Sequence, residues 1–198
     1  MLLKRVIPSI LFSGDGLYKT RKFKNKTYVG DVVNTIRLFN DLKVDELVLL
    51  DIEATKSSKG PNFDLIKEVS SECFMPLCYG GGVSSLEQAE KIFALGVEKI
   101  SINASAMKKT ELITTLAKVF GSQSIVVGVD VAKNMFGTYK LYSHTGASVP
   151  KKKIAEYLRD VESAGAGEVF LTSVDREGSM QGFDLALVEE AGKTVNIP

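Results

Sequence analysis

Asp45-Glu-Leu-Val-Leu-Leu-Asp51 places four consecutive apolar residues between acidic groups at both ends. A run of this length, flanked by charge and without helical spacing, reads as a strand buried on both faces. The same form recurs along the chain, predicting strands at 5–12, 46–51, 75–79, 99–103, 124–130 and 168–173. Between them, apolar residues recur three and four apart, as in Leu86, Ala89, Ile92 and Phe93. That period predicts helices at 32–42, 63–73, 85–95, 111–120, 153–164 and 185–191. Ser84 and Ser85 precede one helix, and Gly96 and Gly165 follow two others, as start and stop signals.

Strict alternation of strand and helix implies a parallel sheet with covered faces. No Gly-x-Gly-x-x-Gly follows the first strand, which argues against a dinucleotide-binding open sheet. Polar and glycine residues instead gather at the carboxyl ends of many strands: Asp51, Gly80-Gly81-Gly82, Asn103, Asp130, Ser173 and Asp175. That distribution is characteristic of the (β/α)8, or TIM, barrel. An internal echo agrees: Asp45-Glu-Leu-Val-Leu-Leu-Asp51 lies over Gly167-Glu-Val-Phe-Leu-Thr-Ser173, and residues 4–11 lie over 123–130. Strands 1 and 2 would then be repeated as strands 5 and 6. A complete barrel needs roughly 250 residues. The expectation for 1–198 is therefore one incomplete barrel domain holding units 1–6, with units 7 and 8 absent.

With 44% hydrophobic and 25% charged residues and a net charge of +1, the chain has an ordinary globular composition. Near-neutrality gives no general reason to expect nucleic acid or an anionic membrane as partner. The apolar run at 6–12 is too short to span a bilayer, contains Pro8 and lacks a cleavage site, so the expected location is cytoplasmic. Cys73 and Cys78 are expected as reduced thiols, with no metal or other cofactor. His144 is the only histidine and lies in a polar stretch, where a solvated loop residue is expected.

Two strand ends suggest anion sites. Tyr79-Gly-Gly-Gly-Val83 leads into a helix start, and glycine backbone at Gly81 and Gly82 can approach a phosphate closely. Asn103-Ala-Ser105 closes the next strand with amide and hydroxyl groups suited to the same anion. Half a barrel away, Thr172-Ser-Val-Asp-Arg-Glu-Gly178 forms a second candidate cradle, with Ser173, Glu177 and Gly178 as contacts. Two cradles imply a phosphorylated small molecule carrying a phosphate at each end. Asp130, behind the apolar run Ile125-Val-Val-Gly-Val129, is the candidate catalytic acid or base. The corresponding place on strand 1 holds Leu11, which cannot transfer a proton. At the other end of the strands, Arg5, Glu46, Lys99 and Glu168 are placed to form a ring of alternating charge.

These residues resemble those of the HisF family, the cyclase subunits of imidazole glycerol phosphate synthase. The resemblance covers essentially the whole chain: Lys4-Arg5, Asp45-Glu-Leu-Val, Leu50-Asp-Ile52, Gly80-Gly-Gly82, Lys99-Ile-Ser-Ile-Asn103, Gly121-Ser-Gln123, Gly165-Ala-Gly-Glu168 and Leu171-Thr-Ser173. It implies a lyase-class subunit whose glutaminase (HisH-like) partner docks at the amino-terminal barrel face and releases ammonia into the barrel. Arg5, Glu46, Lys99 and Glu168 match the ammonia gate, and Asp130 matches one of two catalytic aspartates. Gly82, Asn103, Glu177 and Gly178 match phosphate-site positions, with Glu177 in place of an aspartate. The second catalytic aspartate is replaced by Leu11, so little cyclisation is expected. Pro8-Ser-Ile-Leu-Phe-Ser-Gly-Asp-Gly16, Lys19-Thr-Arg-Lys-Phe-Lys24, Tyr28-Val-Gly-Asp31 and Glu72-Cys-Phe-Met-Pro-Leu77 are similar to a WbuZ-type subgroup. That similarity implies ammonia delivery for acetamidino-sugar synthesis in surface polysaccharide (lipopolysaccharide) or flagellar glycans. The alternatives are the cyclase-lyase of histidine biosynthesis, with Asp15 or water as the second acid, and a non-catalytic scaffold for a glutaminase.

Overall fold

The computed structural model describes residues 4–57, 59–144 and 149–198. Its elements alternate as expected, and the chain divides into two compact units, Met1–Lys19 with Thr27–Ser101 and Thr20–Lys26 with Ile102–Pro198. In the first unit, β1 (Ser9–Ser13), β4 (Leu47–Asp51), β5 (Leu77–Gly80) and β6 (Lys99–Ile102) pair in parallel in that order. The connecting helices are α1 (Val32–Leu42), α2 (Phe63–Glu72) and α3 (Leu86–Ala94). Leu47, Leu49, Leu77, Tyr79, Ile36, Ile66, Val69 and Ile92 form its buried core. Each helix begins on a side-chain cap: Asp31 accepts from the Asn34 amide, Asn62 from Leu65 and Ser85 from Gln88.

In the second unit, β7 (Ile125–Lys133) pairs in parallel with β9 (Glu168–Ser173). Helices α4 (Ala104–Lys108), α5 (Glu111–Phe120), α6 (Ile154–Ser163) and α7 (Leu185–Gly192) complete it. Among the described residues, no helix is long and apolar enough to cross a membrane.

Two features depart from an all-parallel expectation. The first strand starts at Ser9 rather than residue 5, because Pro8 has no amide hydrogen to contribute to a ladder. Its carbonyl still accepts from the Val48 amide at 2.9 Å. Each unit's first strand also carries an antiparallel partner: β1 pairs with β2 (Gly16–Arg21), and β7 with β8 (Tyr139–Leu141). β2 turns at Lys22 and Phe23 into β3 (Lys24–Gly30), whose residues are almost all exposed.

The internal echo reappears as backbone register. Leu11 faces Leu50 across β1 and β4, and Phe12 faces Asp51. Asp130 faces Thr172 across β7 and β9, and Val131 faces Ser173. These are the pairs that the sequence alignment of 4–11 on 123–130 and 45–51 on 167–173 requires. Within the repeat, Leu11 is the counterpart of Asp130.

Candidate functional site

At the amino-terminal ends of the first unit's strands, three charged groups meet. Glu46 directly precedes β4 and is only 3% exposed. Its Oε2 accepts from Arg5 Nη1 at 3.0 Å and from Lys99 Nζ at 2.7 Å. A carboxylate buried this deeply is tolerable only when compensated, and here two cations share it. Glu168, the fourth residue of the expected ring, opens β9 in the second unit, where it is half-buried and faces Val126 in register.

At the carboxyl ends, the glycine run of the first unit is set by close packing. A Cβ on Gly80 would lie 2.7 Å from Leu50 Cδ2, and one on Gly81 2.8 Å from the Asp51 carbonyl oxygen. One on Gly82 would meet the Gly60 backbone at 2.8 Å, and Gly81 and Gly82 both have positive φ. Side chains are thus excluded at this strand end, where Gly80 is buried and Gly81 and Gly82 are half-buried. The Asp51 carboxylate turns back to accept from the Glu53 and Ala54 amides, both at 3.0 Å.

The second unit holds the acid–base candidate. Asp130 is 6% exposed on β7, and burial pushes its carboxyl up to about 6 although hydrogen bonds from Asn103 and Thr172 pull the other way. Asn103 donates from Nδ2 to Asp130 Oδ2 at 2.8 Å. Gly128 makes room for it, since a Cβ there would stand 3.2 Å from the Asn103 Cβ. The Asn103 side chain is therefore directed to the carboxylate, while Ser105 lies in the short helix α4 that follows.

The cluster after β9 is tightly wired. Ser173 Oγ donates to Asp184 Oδ2 at 3.3 Å, and the Ser173 carbonyl accepts from the amides of Arg176 and Glu177. Glu177 binds the β2–β3 hairpin tip: Oε1 accepts from Thr20 Oγ1 at 2.6 Å, and Oε2 from the Phe23 amide at 2.9 Å. Gly178 is needed because a Cβ there would fall 1.9 Å from the Thr20 carbonyl oxygen. Burial works to raise the Asp184 carboxyl, but donation from Tyr139 and Leu187 and the nearby Lys133 and Arg176 hold it below its ordinary value.

The histidine biosynthesis protein model matches residues 5–198. The chain belongs to the histidine biosynthesis protein family. The architecture of that family is the (β/α)8 barrel, which accounts for the alternation and parallel pairing seen in both units. Among its relatives is a Pseudomonas aeruginosa protein provisionally named imidazole glycerol phosphate synthase subunit hisF2, 50% identical over 198 residues, spanning all of this chain and 79% of that protein. A Leptospira borgpetersenii protein, with a HisF name that is also provisional, is 41% identical over 199 residues, 100% of this chain and 78% of the relative. The imidazole glycerol phosphate synthase subunit HisF of Chlorobaculum tepidum is 37% identical over 198 residues, again 100% and 78%. These relatives place the chain among the HisF proteins.

Around Asp130, three residues escape a reading of strand ends alone. Thr172 lies beside Asp130 on the neighbouring strand and donates to it. His144, expected in a solvated loop, is half-buried with Nδ1 4.0 Å from Asp130 Oδ2. Phe23 packs edge-on against the His144 ring at 5.8 Å between centroids. The signal available for His144 was its uniqueness and its place just beyond the strand bearing Asp130.

Proposed function

We propose that this chain is the ammonia-accepting, HisF-type synthase subunit of a glutamine amidotransferase, and that its acceptor chemistry is amidation of an N-acetyl sugar. The carrying observation is the pairing of Arg5 and Lys99 on the buried Glu46 carboxylate. Such a cluster at the amino-terminal ends of the strands suits the entry of a small polar molecule from a docked partner. Val6 before β1, Leu42 at the end of α1 and Phe74 between α2 and β5 are all exposed and supply apolar surface for a glutaminase of the HisH type. Glu168 is the fourth gate position that the HisF resemblance implies.

Phosphorylated substrate groups are assigned to Gly81 and Gly82 in the first unit and to Asn103, Ser105, Ser173, Glu177 and Gly178 in the second. Support comes from the excluded side chains at Gly81 and Gly82. Glu177 and Gly178 act mainly as the seat of the hairpin tip, so their share in phosphate binding is through the loop they shape. The subunit is read as cytoplasmic and as needing no cofactor.

The WbuZ-type assignment rests on Leu11 and its flanking hairpin. With Leu11 in the place equivalent to Asp130, the top face has one acid–base carboxylate where cyclisation uses two. A specific observation favours a second reading, the cyclase-lyase of histidine biosynthesis: Asp130 is buried, raised to about 6 and supported by Asn103, as a working acid–base group would be. The test compares two reactions under added ammonium. Conversion of an N-acetyl sugar to its acetamidino form, with the sugar amidotransferase present, supports the first reading. Efficient turnover of bis-phosphorylated ribulosyl aminoimidazole would overturn it in favour of the second.

A further inference from the structure

Asp130 is almost fully buried, so a proton that it gains or loses must travel to solvent through a neighbour. Its two hydrogen-bond donors do not titrate. The Asn103 amide and the Thr172 hydroxyl donate to the carboxylate, but neither takes up or releases a proton near neutrality. His144 can. Its Nδ1 stands 4.0 Å from Asp130 Oδ2, and its side chain is 29% exposed, so one edge of the ring faces the carboxylate while part of the ring reaches water. A gap of that size closes by a small rotation or is bridged by one water, as is common before substrate binds.

The hairpin tip shows that this placement is held deliberately. Lys22 and Phe23 both adopt left-handed backbone, with φ of 54° and 58°, where a residue other than glycine costs about 1–2 kcal/mol. Three hydrogen bonds to Glu177 hold the strained turn: Thr20 and Phe23 donate to its carboxylate and the Lys22 amide to its carbonyl at 3.1 Å. The turn directs the Phe23 ring onto His144 at 5.8 Å and onto Tyr142 at 6.1 Å. A relaxed Asn-Gly turn would satisfy the hairpin alone.

We propose that His144 is the proton-exchange partner of Asp130, seated by Phe23 on a hairpin tip that Glu177 clamps. The proposal rests on the reading of Asp130 as the acid–base group. The Asp130 carboxylate takes a proton from a reacting N–H or C–H and becomes a carboxylic acid. That proton passes to Nδ1 of neutral His144, which becomes imidazolium as the carboxylate is restored. The imidazolium then loses the Nε2 proton to water, and the reverse sequence delivers a proton.

Because His144 is the only histidine, the full chain without an added histidine tag gives one imidazole signal by proton NMR. Facing the ring are Asp130 from β7 and Phe23 from the hairpin tip. The His144 titration midpoint should move to lower pH in Asp130→Asn, since the carboxylate no longer favours the imidazolium. An unchanged midpoint would overturn the pair. A second arm follows ammonium-dependent turnover of bis-phosphorylated ribulosyl aminoimidazole. His144→Gly should lower kcat by about 10²-fold with little change in KM. Added imidazole should restore turnover, whereas His144→Gln should stay low. Recovery by glutamine but not by imidazole would reduce His144 to a hydrogen-bonding prop and overturn the relay. If the wild type fails to turn over this probe, the cyclase reading fails, and the titration alone decides the pair.

Discussion

Leu11 sits opposite Leu50 in the same strand register that places Asp130 opposite Thr172. The two halves of an internal repeat therefore present an apolar residue and a buried carboxylate at equivalent backbone positions. One half retains a titratable carboxylate and the other does not.

Restoring the missing group tests that asymmetry. Leu11→Asp should raise ammonium-dependent cyclisation of the bis-phosphate substrate by at least the roughly 10²-fold that one general acid or base contributes. Leu11 is half-buried, so the same change should cost about 1–3 kcal/mol of stability, measured by denaturant unfolding. A variant with unaltered rate would mean that the two places are equivalent in backbone only.

Asp130 predicts a pH dependence of stability. Its carboxyl lies at about 6 when folded, against an ordinary value of 3.8, so the native state holds this proton more tightly. Stability from this group is present at low pH and is lost as pH rises from about 4 to about 6. Asp130→Asn should accordingly be more stable than the wild type at pH 8, by at most about 3 kcal/mol, and should lose that advantage near pH 4. Paired unfolding curves at the two pH values check the sign.

The Glu177 clamp gives a third prediction. Glu177→Ala removes the acceptor of the Thr20 hydroxyl and the Phe23 amide and should destabilise the protein by about 1–3 kcal/mol. Hydrogen exchange should quicken at residues 20–26 before it does in the parallel strands. Uniform quickening everywhere would show that the clamp is not local.

Much of this was legible in the chain because buried parallel strands are written as apolar runs and their functional ends as the polar residues that stop them. Asp130, Glu46 and Lys99 stand out for that reason. The β2–β3 hairpin does not, since Lys24-Asn-Lys-Thr-Tyr-Val-Gly30 has no buried face to impose alternation, and its turn is Lys22-Phe23 rather than a glycine pair. His144 was hidden for a related cause. Its setting depends on Phe23, more than a hundred residues away, and no local pattern reports such a contact. Glu177 reads as a ligand contact from the residues around it, and only the folded chain reveals that its carboxylate also accepts from the hairpin tip.

Glu46 supplies the fourth prediction. Glu46→Ala leaves Lys99, whose side chain is 14% exposed, and the more exposed Arg5 without this carboxylate. Loss of a buried partner costs up to about 3–5 kcal/mol, reduced here by the access of Arg5 to solvent. Lys99→Met should be milder, because Arg5 remains on Glu46.

If ammonia enters from a glutaminase docked over the Arg5–Glu46–Lys99 cluster, disturbing the cluster should separate the two nitrogen sources. The direct measurement is product formation by the chain together with a HisH-type glutaminase, with glutamine or ammonium as nitrogen source, for the wild type and Lys99→Ala. Lys99→Ala should lower glutamine-dependent product at least about tenfold relative to glutamine hydrolysed, while ammonium-dependent product stays within about twofold. An equal loss with both nitrogen sources, or a glutaminase that neither binds the wild-type chain nor is activated by it, would contradict it.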